Sequence, residues 1–139
     1  MFSWFGKISF TPCTKVAAFA EHLKEGRLVG SRCKKCGSEN FPPRADCPNC
    51  LSDEFEFVEW HRRGKLLTYT RIDAAPTGFQ DMAPYVVCLV ELEQGGRAVG
   101  WMGESLKEEE LRPDMPVEIR PRFFEEIEPI KLYLSVEKP

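Results

Sequence analysis

From Gly64 onward, apolar and polar residues trade places along short runs that are separated by Gly, Pro, Asp and Gln. That alternation belongs to strands with one buried face. It predicts strands over Leu66 to Ala74, Tyr85 to Leu92, Ala98 to Gly103, Val117 to Phe124 and Ile130 to Val136, with Gly95-Gly96 turning the second into the third. After the third strand, Ser105-Leu106-Lys107-Glu108 has the form of a capping box, so Leu106 to Leu111 reads as a short helix stopped by Pro113. Five strands with one short helix after the third is the order of an OB-fold, a partly open Greek-key barrel.

The first third of the chain has other periods. Val16, Phe19, Ala20 and Leu23 recur at helical spacing, with Thr11 placed to cap, Pro12 suited to the first turn and Gly26 to the end. Ahead of them Trp4, Phe5 and Phe10 form an aromatic terminus that needs a surface to cover it, either the barrel or a second protein. Arg27 to Arg32 reads as a short strand, and Phe55 to Trp60 alternates charged and apolar residues as a strand does. Between these two strands no apolar period remains. What stands there is Cys33-Lys34-Lys35-Cys36-Gly37, ten residues between the pairs, and Cys47-Pro48-Asn49-Cys50.

Each Cys-x-x-Cys presents two sulfurs to one point, and two such turns complete a four-sulfur tetrahedron, so Cys33, Cys36, Cys47 and Cys50 are the expected ligands of one structural zinc ion. Gly37 stands where the chain reverses sharply under the sulfurs. Energetics point the same way. Ordering this stretch costs roughly 1–2 kcal/mol of backbone entropy per residue, while it offers little beyond Phe41, Ala45 and a few prolines to bury. A structural zinc supplies on the order of 10–16 kcal/mol in small peptides. With no open coordination position such an ion is structural rather than a Lewis acid.

The expected architecture is mostly β: residues 1–26 an aromatic segment and amphipathic helix, 27–60 a rubredoxin-like zinc ribbon, 61–139 a five-stranded OB-fold barrel. The chain has 139 residues, of which 42% are hydrophobic and 29% charged, a globular composition. No apolar run reaches the roughly 20 residues of a membrane-spanning helix, and Lys7 interrupts the apolar start, which argues against a membrane protein or a secretory leader. A cytoplasmic protein is expected. The net charge of −3 weighs against a protein that coats a polyanion. Charge is unevenly placed: six basic and two acidic residues lie between Lys24 and Arg44, against two basic and six acidic between Glu104 and Glu118.

Gly26-Arg27-Leu28, Arg32-Cys33 to Cys36-Gly37, Phe41-Pro42-Pro43-Arg44 and Cys47-Pro48 to Cys50 resemble the signature of domain-of-unknown-function family 35. Thr68-Tyr69-Thr70, Pro84-Tyr85-Val86-Val87 and Val90-Glu91-Leu92 are similar to its OB-fold half, so that the likeness runs from Pro12 onward. The chain departs from the family at Arg62-Arg63-Gly64-Lys65-Leu66-Leu67, where the Leu pair is bulkier than the usual small residues. The resemblance implies a zinc ribbon joined to an OB-fold, and a non-catalytic accessory or scaffold subunit of a thiolase-superfamily enzyme that makes or breaks carbon–carbon bonds on acyl-CoA. It also implies a hetero-oligomer with a thiolase-like partner and a CoA thioester bound jointly with it. Arg44, Arg62, Arg63, Lys65 and Arg71 are the candidates for holding the CoA phosphates.

A catalytic site of the chain's own is not legible. His22 and His61 read as surface residues, Cys88 as a small buried hydrophobe in an apolar strand, Cys13 as a bystander without a neighbouring His, and Glu108-Glu109-Glu110 as a solvated face. Two other functions compete. Single-stranded nucleic acid would use basic grooves with Tyr69, Phe79 and Tyr85 as stacking platforms, and iron in the same four sulfurs would make an electron carrier.

Overall fold

The computed structural model describes residues 14–124 and 131–139. The predicted Thr11 cap and Pro12, Cys13 and the Trp4, Phe5 and Phe10 segment lie outside the described residues.

The barrel strands are β4 (Arg63–Ile72), β5 (Tyr85–Leu92), β6 (Arg97–Met102), β7 (Pro116–Phe124) and β8 (Lys131–Glu137). They close in the order β4-β5-β6-β8-β7, with β7 pairing back onto β4 and the parallel contact made between β6 and β8. This is the five-stranded Greek-key barrel expected from the alternation. Alternate residues point inward: Val86, Cys88, Val90 and Leu92 on β5, Val117 and Ile119 on β7, and Leu132, Leu134 and Val136 on β8, all buried. β4 starts three residues earlier than the alternation predicts. Gly64 belongs to the strand, pairing with Leu92 on one side and Val117 on the other, and glycine is required there because any Cβ would run into the Glu91 carbonyl oxygen. The Leu66-Leu67 pair marks a shift of register between Leu66 and Thr68, with Leu66 fully buried and Leu67 half-buried.

The helix expected over Leu106 to Leu111 is a correction. Only Glu108–Glu110 is helical, as one 3-10 turn, and the box is shifted by two: the Lys107 amide donates to Glu110 Oε2 at 2.9 Å. Leu106 and Leu111 are both buried and pin the ends of a segment too short for an α-helix, while Ser105 is engaged elsewhere, on Glu137.

Helix α1 (Ala18–Lys24) buries Phe19, Ala20 and Leu23, three of the four positions of the predicted stripe. It ends in a Schellman motif: Gly26, at φ +79°, donates to the Leu23 carbonyl and Arg27 to that of His22. β1 (Val29–Cys33), the two-residue β2 (Glu39–Asn40) and β3 (Phe55–Glu59) form a separate antiparallel sheet in the order β2-β1-β3. Trp60 joins this sheet to the barrel. Its indole nitrogen donates to the Gly95 carbonyl at 3.0 Å, its ring stacks on Phe41 at 5.8 Å, and Phe41 meets Phe19 edge-on at 6.2 Å. Ribbon, helix and barrel therefore share one apolar cluster.

Candidate metal centre

The two Cys-x-x-Cys turns are built on the same backbone plan. In the first, the Cys33 amide donates to the Ser38 carbonyl at 2.9 Å and the Gly37 amide to the Cys33 carbonyl at 2.9 Å; in the second, Cys47 donates to Ser52 at 2.8 Å and Leu51 to Cys47 at 2.9 Å. The reversal needs a left-handed residue in each turn, Gly37 at φ +76° and Leu51 at φ +62°. Sheet β2-β1-β3 holds the first turn, since Cys33 is the last residue of β1 and pairs with Phe55.

The four sulfurs lie within 4.8 Å of one another, Cys33 3.6 Å from Cys50 and Cys36 3.5 Å from Cys47. An ion with metal–sulfur bonds of about 2.3 Å in tetrahedral geometry requires sulfurs about 3.8 Å apart. The donor set therefore fits one tetrahedral metal ion, and its all-sulfur character is that of zinc or iron. Two of the four thiols are disposed to ionise by their own surroundings. The Ser38 amide, then the Asn49 side-chain amide at 3.6 Å, bring the Cys36 thiol down to about 6, and the Cys36 amide lowers Cys33. Cys50 is also pulled down by the Ser52 amide, but loss of water and the neighbouring sulfurs push it up to about 11. Four thiolates at this spacing repel, and a cation at their centre is what allows all four to ionise.

With that geometry set, its relatives can be placed. Residues 20–56 match the family of the ChsH2 rubredoxin-like zinc ribbon domain, and residues 57–122 that of the ChsH2 C-terminal OB-fold domain. The chain is also 41% identical over 99 residues to a DUF35 domain-containing scaffold protein of Methanocaldococcus jannaschii, covering 70% of each. The chain belongs to the DUF35 family. Among solved structures, this DUF35 protein is similar to the Ltp2-ChsH2(DUF35) aldolase at a TM-score of 0.74 and 28% identity, over 92% of this chain and 98% of that one. It is 39% identical over 70 residues to the benzoylsuccinyl-CoA thiolase subunit BbsA of Thauera aromatica, spanning 50% of this chain and 47% of that subunit.

The five basic candidates are not brought to one point. Arg44 stands on the ribbon, its amide donating to Ser31 Oγ at 2.9 Å, with its side chain exposed. Arg62 and Arg63 border a 350 Å³ hollow together with His61 and Glu93, and the Arg62 guanidinium donates to the Gly26 carbonyl. Lys65 lies between Glu91 at 3.5 Å and Asp114 at 3.7 Å. Arg71, near the far end of β4, is held by Asp73 and Glu108, each at 2.8 Å. The basic excess between Lys24 and Arg44 is likewise offset in space: Arg27 pairs with Glu59 at 2.6 Å, and Arg32 with Glu39 at 3.0 Å and Glu56 at 3.3 Å.

His22 is half-buried rather than free on the polar face, with its ring 5.0 Å from Phe57 and Nδ1 3.2 Å from the Arg27 guanidinium. His61 is exposed, and its backbone amide donates to Gln94 Oε1 at 2.9 Å. Cys88 is buried inside the barrel, which pushes its thiol up to about 11 and leaves it unreactive near neutral pH. Phe79 and Tyr85 converge on Trp101, whereas Tyr69 donates its hydroxyl to the Leu111 carbonyl at 3.3 Å. Sequence reasoning missed this Trp101 cluster and the neighbouring Arg120 and Arg122. Their signal was aromatic and basic residues on outward positions of β6, β7 and β8. Among the described residues no helix is long and apolar enough to cross a membrane.

Proposed function

We propose that this DUF35 protein is a non-catalytic accessory subunit of a thiolase-superfamily enzyme acting on acyl-CoA. The observation that carries the reading is its likeness, over nearly the whole of both chains, to the Ltp2-ChsH2(DUF35) aldolase, supported by its similarity to the thiolase subunit BbsA. The metal is zinc and its role is structural: a closed four-sulfur set leaves no coordination position for substrate. Four reduced thiols are kept available in a reducing compartment, which favours the cytoplasm.

Within this reading the CoA phosphates are contacted by the basic candidates, chiefly Arg44 and Arg63, which make no ion pair among the described residues. Lys65 and Arg71 each would exchange a carboxylate for a phosphate, and Arg62 holds Gly26, at the end of α1, in place beside Arg63.

The test is purification from the native source under reducing conditions, followed by gel filtration. A thiolase-like subunit is expected to travel with the chain, acyl-CoA turnover is expected to require both, and elemental analysis is expected to give one zinc per chain. A chain that elutes alone, with a partner fully active without it, overturns the accessory role. A red protein with visible charge-transfer bands overturns zinc in favour of iron.

A further inference from the structure

The outer wall of the barrel carries an aromatic cluster that the core does not need. Trp101, on an outward position of β6, has Tyr133 of β8 at 5.1 Å, Phe124 of β7 at 5.7 Å, Tyr85 of β5 at 5.8 Å and Phe79 of the β4–β5 connection at 6.1 Å. Val99 beside it is 62% exposed and Phe123 49%. Between Phe79, Val99, Trp101 and Tyr133 lies a hollow of 160 Å³. A cavity of about 150 Å³ with apolar walls is enough to take benzene. Burying one ring there removes apolar surface from water and adds edge-to-face contacts. The second and third strands of an OB-fold, here β5 and β6, form with the first connection its usual ligand face.

Tyr133 is shared with a second hollow of 620 Å³, whose near wall carries Arg120 and Arg122. These stand two apart on β7, with Arg122 directly opposite Tyr133. Buried Ser135 steadies the pair, accepting from Arg122 Nε at 3.4 Å and donating to the Arg120 carbonyl at 3.4 Å. Glu118, 3.2 Å from Arg120, and Glu137, 3.7 Å from Arg122, leave both guanidiniums roughly half exposed. Glu104 and Glu137 border the same hollow and would repel an anion, so the place left for one is over the exposed faces of the two guanidiniums.

We propose that this wall binds a monocyclic aryl anion, with the ring seated between Phe79, Val99, Trp101 and Tyr133 and the carboxylate or phosphate held by Arg120 and Arg122. Apolar ring pocket and guanidinium pair meet at Tyr133, as a ring and its directly attached anionic group require. The inference stands on the barrel wall alone and does not depend on which subunit the chain serves.

The test is titration of the metal-loaded full chain with benzoate, phenyl phosphate, benzyl alcohol and acetate, read as backbone and indole chemical shifts. Benzoate and phenyl phosphate are expected to give saturable shifts at Val99, Gly100, Trp101 and Tyr133, benzyl alcohol to bind about tenfold more weakly, a difference of about 1.4 kcal/mol, and acetate to give none. In the double variant R120Q/R122Q the two aryl anions fall to the level of benzyl alcohol. Val99→Trp fills the ring pocket from an exposed position, leaves the remaining spectrum intact and abolishes binding of all three aryl probes. Absence of saturable shifts in the parent chain, equal response to acetate, or binding that survives Val99→Trp overturns the proposal.

Discussion

Leu51 holds in the second metal turn the place that Gly37 holds in the first, at a backbone angle unfavourable to a side chain and with 84% of its surface exposed. It buries nothing that would offset the strain. A left-handed residue with a Cβ costs roughly 1–2 kcal/mol, and a glycine gives back part of this through the freedom of the unfolded chain. Leu51→Gly is therefore expected to raise the stability of the metal-loaded protein by roughly 0.5–1 kcal/mol, and Gly37→Ala to lower it by about 1–2 kcal/mol, both read by thermal unfolding. Cys88 supplies a pH dependence at the same scale. Its thiol is raised from 9.0 to about 11 by burial, so the folded state disfavours the thiolate. The stability it permits is complete below pH 9 and is lost as pH rises through the folded value, by up to about 3 kcal/mol. Cys88→Val is expected to flatten that part of the stability profile between about pH 9 and 11 without loss of the core.

Three contacts between elements rest on single residues. A Cβ at Gly30 of β1 would lie 2.4 Å from the Trp60 ring, and one at Gly96 2.4 Å from the Phe41 carbonyl oxygen, so two glycines allow the ribbon to close on the β5–β6 hairpin. Gly30→Ala is expected to cost about 1–3 kcal/mol and to shift Trp60 fluorescence, because the ring must leave its seat. The third contact is Glu137 at the end of β8. Burial opposes its charge, but the Ser105 hydroxyl and amide, which both donate to Oε2, lower its carboxyl on balance. Its contribution is present above the usual carboxylate range and is lost as pH falls through the lowered value. Ser105→Ala, which removes one donor, is expected to destabilise by about 1–3 kcal/mol at neutral pH and to move acid unfolding to higher pH. Ser105 thus holds a strand end, a role invisible in the Ser-Leu-Lys-Glu string that resembles a helix cap.

At the scale of the molecule, the ribbon and the barrel are stabilised by different means. The barrel encloses its own apolar interior, whereas the two metal turns bury little beyond Phe41, Cys33 and Cys47. Metal removal by a chelator under reducing conditions is expected to abolish amide protection in residues 31–55 while protection of β5 and β8 persists, as read by hydrogen exchange. Simultaneous loss throughout would mean that the shared Phe19, Phe41 and Trp60 cluster makes one cooperative unit of both.

The sequence by itself determined the four-cysteine cluster and the barrel strands, because both are local properties. Sulfur spacing sets a turn, and alternation sets a strand, before any distant residue is consulted. Gly26, Gly37 and Gly95-Gly96 likewise declared their turns through their freedom at positive φ. Tertiary structure alone decided the rest. Glu56 and Glu59, distant in sequence, offset Arg32 and Arg27, and the basic candidates of β4 were dispersed along a strand instead of gathered. Leu106 and Leu111 were each drawn into the core, which left a single 3-10 turn where a helix was expected. Four aromatic residues, from three strands and a connection, were assembled around Trp101. The physical reason is the same in each case: a charge, a helix end or an aromatic ring takes its free energy from whatever lies beside it in space, and in a closed barrel those neighbours come from strands far apart in the chain.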